Sequence, residues 1–322
     1  KMWKTVLRRF LIMIPQLIIL SVIVFFIGKM MPGDPFTGLI TGDTDPAAIA
    51  ALREKAGLND PWPIQYKNWI SRILGNGDFG KSYTYKMQVS TLIGQRAQNT
   101  LWLSLLTLIL TYLIAVPLGV YAGRYQNSKL DKAVIVYNFV SYAIPSFVLA
   151  LLMILIFGYK LGWVPTTGSV EIGIQKGTAA YYGSRFHYMI MPAVTSAILS
   201  TTTTIQYLRN EVIDAKTQDY VKTARSKGVP TNKVYSHHIF RNSLLPIAAF
   251  FGFTITGLLS GTIFIETIFG YPGMGELFIS SINSRDYSVM NALVLLFGVL
   301  TLVGSLLSDI IMSIVDPRIR IE

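Results

Sequence analysis

The chain has 322 residues, of which 52% are hydrophobic and only 14% are charged, against about 25% charged residues in an ordinary soluble protein. This composition excludes a simple soluble domain and indicates a membrane protein. The absence of cysteine excludes disulfides and thiolate metal sites, and the three histidines have no metal-binding spacing with carboxylates. The net charge of +11 is compatible with either a nucleic acid or a membrane surface as its partner.

Six apolar segments are long enough to cross a bilayer, which takes about 20 residues in a helix. They lie at residues 10–28, 101–123, 133–159, 188–208, 244–269 and 289–313. The first is preceded by basic residues, as in a signal peptide, but its apolar run is too long and no small-residue cleavage site follows it. We therefore predict an all-α membrane protein with six transmembrane helices.

The distribution of Lys and Arg predicts the orientation of these helices. The predicted inner segments are residues 1–9, 124–132, 209–243 and 315–322, and the outer segments are residues 32–98, 159–188 and 270–288. The inner segments carry 16 basic residues in 61 positions, whereas the outer segments carry 11 in 116. This bias predicts that both termini are cytoplasmic. The positive charge is then explained by topology and membrane lipids, without a nucleic-acid partner.

The first outer segment contains GNGDFGKS, residues 75–82, which matches the nucleotide-binding pattern GxxxxGK[ST]. That pattern cradles phosphate only where a buried strand turns into a helix, and the preceding NWISRIL is too polar for such a strand. The segment is also too short for a nucleotide-binding domain. We predict a glycine-rich turn in an external subdomain, with no nucleotide site in this chain.

The same outer segment carries signals for two short helices. Asp45 is a plausible N-cap, Pro46 would take the first helical position, and Gly57 follows the predicted end of the first helix. A second helix is predicted near residues 64–74. This small helical segment either contacts an external partner or forms a lid without one.

The predicted spans carry few ionisable residues, whereas proton-coupled transporters retain such groups near the bilayer midplane. Glu266 and Asp309 lie near the ends of the fifth and sixth spans, where we predict interfacial or interhelical hydrogen bonds. The energy source for any transport is therefore expected outside this chain.

The fourth span is the most polar of the six. Ser196, Ser200, Thr203 and Tyr207 follow one another at steps of four, three and four residues, which places them on one helix face. Such a stripe suits a translocation path for a polar solute. Small hydroxylated residues also allow close packing of membrane helices, and both readings remain open.

The inner segment 209–243 contains DYVKTARSKGVPTNKVYSHHIFRNS. It predicts a short helix that Asp219 caps, that Gly228 ends in a left-handed conformation and that Pro230 keeps from continuing. A second helix is predicted to start at Thr231 and to run toward the fifth span.

One face of that short helix is predicted to be apolar. Tyr220, Val221 and Ala224 share it, and it extends back through Thr217 and Ile213. Because the other positions are mostly basic or polar, the helix is suited either to a protein partner or to an anionic lipid surface.

The loop DYVKTARSKG followed by HHIFRNSLLP resembles the coupling loop of the permease subunits of binding-protein-dependent ABC importers. Ala224 and Gly228 fit the EAA motif of that family, whereas Lys222 and Thr223 stand where the general motif has Glu and Ala. The resemblance is closest to the oligopeptide, dipeptide and nickel permease group, and within it to the B-type oligopeptide subunit. It extends to MPGDP, GDFGKSY, NTLWLSL, AIPSFVLALL and ETIFGYPGMGELFISSINSRDY.

The resemblance implies a type I ABC importer (MetI-like) permease fold. It divides the chain into a first transmembrane helix (1–31), an extracellular segment (32–98) and a five-helix core (99–322) with the coupling loop at 209–243. The implied partners are a homologous second permease subunit, two cytoplasmic ATPase subunits, and an extracellular or periplasmic peptide-binding protein. This chain would hold no cofactor, since the ATPases would bind ATP and Mg²⁺, and it would carry short peptides by alternating access.

The resemblance also implies which residues contact the ATPase. They are Asp219, Tyr220, Val221, Thr223, Ala224, Lys227 and Gly228. Of these, we expect Tyr220 and Ala224 to face the groove of the ATPase. Nickel or another small solute remains an alternative cargo, and a stand-alone secondary transporter or channel remains an alternative class. A membrane-bound enzyme has little support, because no paired carboxylates, nucleophile–base pair or metal cluster stands out.

Overall fold

The structure is a computed structural model that describes residues 2–34, 36–37, 40, 42, 44–259 and 262–315. The α-helices are α1 (Met2–Met30), α2 (Pro46–Lys55), α3 (Trp62–Asn76), α4 (Val89–Arg124), α5 (Lys129–Ala143), α6 (Ser146–Met153), α7 (Ala179–Ala215), α8 (Asp219–Ser226), α9 (Thr231–Lys233), α10 (Phe240–Ser243), α11 (Leu245–Leu259), α12 (Ile263–Ile268), α13 (Met274–Asn283) and α14 (Tyr287–Val315).

Two π-helical stretches and one hairpin complete these elements. The π-helical stretch π1 (Ile154–Lys160) continues α6, and π2 (Val234–Ile239) continues α9. Strand β1 (Lys81–Ser82) pairs antiparallel with β2 (Met87–Gln88). Pro35 of MPGDP and residues 316–322 of the predicted last inner segment lie outside the described residues.

Among the residues that the structure describes, four helical segments are long and apolar enough to cross a membrane. They are Val6–Met30, Val89–Arg124, Leu245–Ile268 and Tyr287–Val315. The pair formed by α5 with α6 and π1 is a fifth candidate, broken by a sharp bend. These segments match five of the six predicted spans in position, and the count of six itself stays a prediction.

The predicted third span, 133–159, is not one continuous helix. Its two halves meet at Pro145 with a bend of 103°. Proline has no N–H for the helix ladder and disfavours helical geometry in the residue before it, and Ile144 is accordingly extended, with φ −80° and ψ 120°. The segment is therefore a broken span or a re-entrant loop.

The predicted fourth span lies within α7, which contacts α4, α5, α6 and α11 and so occupies the middle of the bundle. Thr195, Ser196 and Thr201 are buried on this helix. A helix surrounded by other helices needs no lipid-facing apolar surface, which explains why α7 is more polar than the other long helices.

Two glycines of α4 allow close contact with α7. A Cβ atom at Gly119 would lie 2.9 Å from Leu208 Cβ, and one at Gly123 would lie 2.7 Å from Val212 Cβ. Both distances are shorter than any ordinary contact between side chains. The helices α4 and α7 therefore cross with their backbones nearly touching.

The helix-end signals of the external segment are confirmed. Asp45 Oδ1 accepts a hydrogen bond from Ala47 N at 2.9 Å, Pro46 is the first residue of α2, and Gly57 has φ +70°. Helix α3 then packs along α1, where Tyr66 Oη lies 2.7 Å from Ser21 Oγ. Helix α3 thus lies directly against α1.

The two acidic residues near span ends make interhelical contacts, as predicted. Buried Glu266 accepts hydrogen bonds from Gly275 N at 2.7 Å and from Thr100 Oγ1 at 3.2 Å. It thereby ties α12 to α4 and to the start of α13. Asp309 of α14 forms an ion pair with Arg9 of α1, with 3.2 Å between Oδ2 and Nε.

Candidate coupling and translocation sites

Helix α8 begins differently from the prediction. Gln218 occupies the N-cap position and Asp219 is the first helical residue, so the prediction that Asp219 caps the helix is wrong. The Asp219 carboxylate instead accepts a hydrogen bond from Lys222 Nζ at 2.9 Å. Its negative charge still lies in the first turn, where the helix dipole favours it.

The end of α8 agrees with the prediction. Gly228 has φ +74°, and its N–H donates to Arg225 O at 2.9 Å. The next N–H, of Val229, donates to Ala224 O at 3.2 Å. This pair of bonds is the Schellman ending, which requires a left-handed residue at the glycine position.

The apolar face of α8 is covered by this chain itself. Val221 and Ala224 are buried in a cluster together with Leu208, Val212, Ala215, Val234 and Ile239. The expectation that Ala224 faces an ATPase is therefore wrong, because its side chain packs on α7 and π2. An amphipathic pattern shows which residues share a face, but not which surface covers that face.

The opposite face of α8 is solvent-accessible. Its exposed residues are Asp219, Tyr220, Lys222, Thr223, Arg225, Ser226, Lys227 and Gly228. Burial of part of the ring raises the pKa of the Tyr220 hydroxyl, and a hydrogen bond with the Asn242 side chain opposes this shift. Of the proposed contact residues, five are thus exposed and two hold the helix in place.

The loop around α8 is also attached to the C-terminal end of α4. Lys216 Nζ donates to Gly123 O at 2.7 Å, where the carbonyls at the end of α4 have no partner in the helix. Arg124 lies 4.6 Å from the centre of the Tyr235 ring, and its Nη2 donates to Asn232 Oδ1 at 2.7 Å. Burial lowers the pKa of Lys216. The segment 209–243 and the C-terminal end of α4 thus form one connected body.

The hydroxyl stripe of α7 divides into a buried half and an open half. Ser196 is 2% exposed, and its Oγ has no hydrogen-bond partner in the described part of the chain. Ser200 is half-buried, whereas Thr203 and Tyr207 are exposed. The structure therefore does not place all four residues along one accessible surface.

Thr203 and Tyr207 line a cleft of about 490 Å³ between α5 and α7. Asn138, Phe139, Tyr142, Thr202, Gln206 and Asn210 complete its walls. Asn138 Nδ2 donates to Gln206 Oε1 at 3.4 Å across the cleft. The cleft combines amide and hydroxyl groups with aromatic rings, which suits contact with peptide bonds and uncharged side chains.

Sequence reasoning missed the amide residues of this cleft. Gln206 and Asn210 lie three and seven residues after Thr203, so they belong to the same helix face. Extending the stripe from hydroxyls to amides would have found them. Asn138 gave no comparable signal, because its α5 neighbours are mostly apolar.

The GNGDFGKS stretch has no phosphate-binding geometry. Gly77 is the left-handed cap at the end of α3, and Lys81 is an exposed residue of β1. The chain then forms β2 before α4 begins at Val89, so no helix starts directly behind the turn. Ser82 is buried and donates to Asp286 Oδ2 at 2.5 Å. The prediction of a structural turn is confirmed.

No group of three or more His, Asp or Glu side chains within the described ranges could hold a metal ion.

The sequence is similar to known membrane components of transport systems. Residues 115–321 match the family described as the inner membrane component of binding-protein-dependent transport systems, and residues 2–104 match the N-terminal region of such membrane components.

Several curated relatives match along nearly their whole length. The oligopeptide transport system permease protein AppB of Bacillus subtilis (strain 168) is 39% identical over 316 residues, 98% of each chain. OppB of Escherichia coli (strain K12), an oligopeptide transport system permease protein, is 34% identical over 99% of this chain and 100% of its own. The glutathione transport system permease protein GsiC of Salmonella typhi is 33% identical over 98% of each chain.

A solved structure supports the fold. The inward-facing MetNI methionine ABC transporter contains a chain that superposes with a TM-score of 0.57 at 15% identity, over 70% of this chain and 97% of that one. The helical arrangement described above is thus the MetI-like permease fold. The chain belongs to the family of inner-membrane components of binding-protein-dependent ABC importers, as a permease subunit rather than an enzyme.

Proposed function

We propose that this permease subunit imports short peptides across the bacterial cytoplasmic membrane, with both of its termini in the cytoplasm. The observation that carries the proposal is the 39% identity to AppB along 98% of both chains. Glutathione, which names the transport system of GsiC, is itself a short peptide. The polar and aromatic walls of the α5–α7 cleft fit such a cargo better than a bare metal ion, because they offer neither thiolates nor carboxylates.

The proposed partners are a homologous second permease subunit, two cytoplasmic ATPase subunits that hold ATP and Mg²⁺, and an extracytoplasmic peptide-binding protein. The cleft offers a surface for the second permease subunit. Phe139 is 76% exposed and Tyr142 is 86% exposed on its α5 wall. A second set of helices over these rings would turn the open cleft into an enclosed path.

Contact with the ATPase is assigned to the exposed face of α8, through Tyr220, Thr223 and Lys227. Val221 and Ala224 have the complementary role of fixing α8 on α7 and π2. Movement of the ATPase is then transmitted by a helix that is firmly attached to the bundle. ATP-driven closure of the ATPase pair would switch the bundle from inward-facing to outward-facing.

The test is reconstitution of the whole importer in liposomes. ATP-driven uptake of labelled peptides of graded length is the expected result, with no uptake when the ATPases or the binding protein are omitted. Uptake of Ni²⁺ in place of peptides would contradict the cargo assignment. Peptide uptake by this chain alone would contradict the importer mechanism and favour a secondary transporter.

A further inference from the structure

A second cleft, of about 660 Å³, lies at the outer end of α1 and α14, beneath α2, α3 and the β1–β2 hairpin. Its volume is in the range of about 300–1,000 Å³ that is usual for ligand pockets. It shares no residue with the α5–α7 cleft or with the coupling loop. The proposed function gives it no role.

The lining of this outer cleft has an excess of positive charge. Its charged residues are Lys29, Arg53, Arg72, Lys81, Asp34 and Asp78. Arg53 is paired with Asp34, with 2.6 Å between Nε and Oδ2. Arg72 and Lys81 form no ion pair with any described residue, and Lys29 donates to the neutral side chain of Gln65. Asp78 accepts a hydrogen bond from Gly80 N at 2.8 Å, so three unpaired cations face one unpaired carboxylate and the lining keeps a net positive charge.

Aromatic rings place the same cleft at the level of the membrane surface. Trp69 packs against Phe25 of α1, with 5.8 Å between ring centres, and Trp62 also lines the cleft. Tryptophan is enriched where lipid headgroups meet water. Since Phe25 and Lys29 belong to the apolar segment Val6–Met30, the cleft reaches the last turns of that membrane helix.

The surface beside the cleft is apolar. Phe26 is 38% exposed near the end of α1, and its ring centre lies 5.5 Å from that of Trp62, which lines the cleft. A ligand in the cleft would therefore meet cations at its polar end and hydrocarbon along its body. Basic pockets beside membrane helices bind anionic lipid headgroups for this reason.

We propose that the outer cleft binds the phosphate group of an anionic phospholipid from the leaflet at the outer end of α1. Arg72 and Lys81 donate hydrogen bonds to the phosphate, and the acyl chains lie against Phe26 and Trp62. Free inorganic phosphate offers the same charge without the acyl chains, so the test must separate these two sources.

The experiment uses the full chain purified in neutral detergent and phosphatidylglycerol with brominated acyl chains as the probe. Bromine quenches nearby indole fluorescence, and Trp62 and Trp69 line the cleft. The cleft variant is Arg72→Gln with Lys81→Gln. The matched control is Lys55→Gln with Lys67→Gln, which removes the same charge from exposed positions that do not line the cleft.

We expect saturable quenching that the cleft variant weakens about thirtyfold, because each basic residue near an anionic lipid surface strengthens binding about fivefold. The control should leave the affinity unchanged, and the charge-conserving pair Arg72→Lys with Lys81→Arg should restore it. Brominated phosphatidylcholine should bind more weakly, and millimolar inorganic phosphate should not displace the lipid.

Three results would overturn the proposal. Equal weakening in the cleft and control variants would show a general effect of charge. Displacement by inorganic phosphate would assign the cleft to a free anion. Equal affinity for the two brominated lipids would show that the three cations do not select the ligand.

Discussion

Arg209, near the C-terminal end of α7, donates two hydrogen bonds to Asp131 of α5, 2.6 Å from Nε to Oδ1 and 2.9 Å from Nη2 to Oδ2. Asp131 is fully buried. The pair joins two of the helices that form the α5–α7 cleft, at positions 78 residues apart in the chain. Removal of Arg209 would leave the buried Asp131 carboxylate without its cation, with the Asn127 N–H at 2.8 Å as its remaining donor.

The first prediction concerns this pair. Arg209→Gln should destabilise the chain by about 3–5 kcal/mol, because the buried Asp131 carboxylate loses its partner. The double variant with Asp131→Asn should lose less, since no charge is then left unpaired. Thermal unfolding of the purified chain is the measurement. The exposed ion pair of Asp219 and Lys222 is the control, and Lys222→Gln should leave the unfolding temperature unchanged.

The second prediction concerns the end of α8. Gly228→Val should cost about 1–2 kcal/mol locally, because a residue with a Cβ is strained in the left-handed region. Nothing lies within 4 Å of a Cβ at this position, so the effect is one of backbone strain and not of crowding. Co-purification with the ATPases should persist, while ATP-driven uptake in proteoliposomes should be lost. Gly228→Asn should keep most of the uptake, because Asn tolerates this conformation; an equally inactive Asn variant would argue against strain as the cause.

The third prediction separates the two faces of α8. Ala224→Asp should lower the unfolding temperature of the chain itself, since it puts a charge among Val212, Val221 and Ile239. Lys227→Glu, on the exposed face, should leave the unfolding temperature unchanged and weaken co-purification with the ATPases. If Ala224→Asp left stability intact and only impaired ATPase binding, the inward orientation of Ala224 would be wrong.

The fourth prediction concerns the two halves of the hydroxyl stripe. Thr203→Val should slow peptide uptake, because it removes a polar group from the wall of the α5–α7 cleft. Ser196→Ala should change neither uptake nor stability, because the Ser196 hydroxyl is buried and unpaired among the described residues. Uptake rates of the assembled importer at constant basal ATPase activity are the measurement. Equal effects of the two substitutions would contradict the division of the stripe.

The fifth prediction contrasts neighbouring residues of the glycine-rich turn. Lys81→Ala should leave ATP hydrolysis by the assembled importer unchanged, because Lys81 is exposed and no helix N-terminus lies behind it. Ser82→Ala should destabilise the chain by about 1–3 kcal/mol, because the buried Asp286 carboxylate loses a hydrogen bond. A loss of ATP hydrolysis in the Lys81 variant would indicate that GNGDFGKS does bind a nucleotide.

Local signals in the sequence predicted local structure well. Both ends of α2 and the C-terminal end of α8 were predictable, because Asp45, Pro46, Gly57 and Gly228 each have a conformational preference that acts within a few residues. Pro145 was an equally local signal for the bend. The prediction of one continuous span followed the apolar length of residues 133–159 instead.

Features that depend on distant residues were not predictable in the same way. Nothing around Asp131 points to Arg209, because their contact exists only once α5 packs on α7. The burial of Ala224 likewise depends on π2, which folds back under α8. For such features the sequence supplies the residue types, and the packing of the helices decides which of them meet.

The close crossing of α4 and α7 has a consequence for how the bundle can move. Leu208 and Val212 of α7 pack directly on Gly119 and Gly123 of α4, where even a Cβ atom would not fit. If one helix slid along the other, these side chains would collide with the backbone of α4. The two helices are therefore expected to turn as a single rigid unit, to which Lys216 attaches the proposed coupling loop through Gly123 O. Conformational change during transport should then concentrate where the ladder of helical hydrogen bonds is already interrupted, at the bend before Pro145.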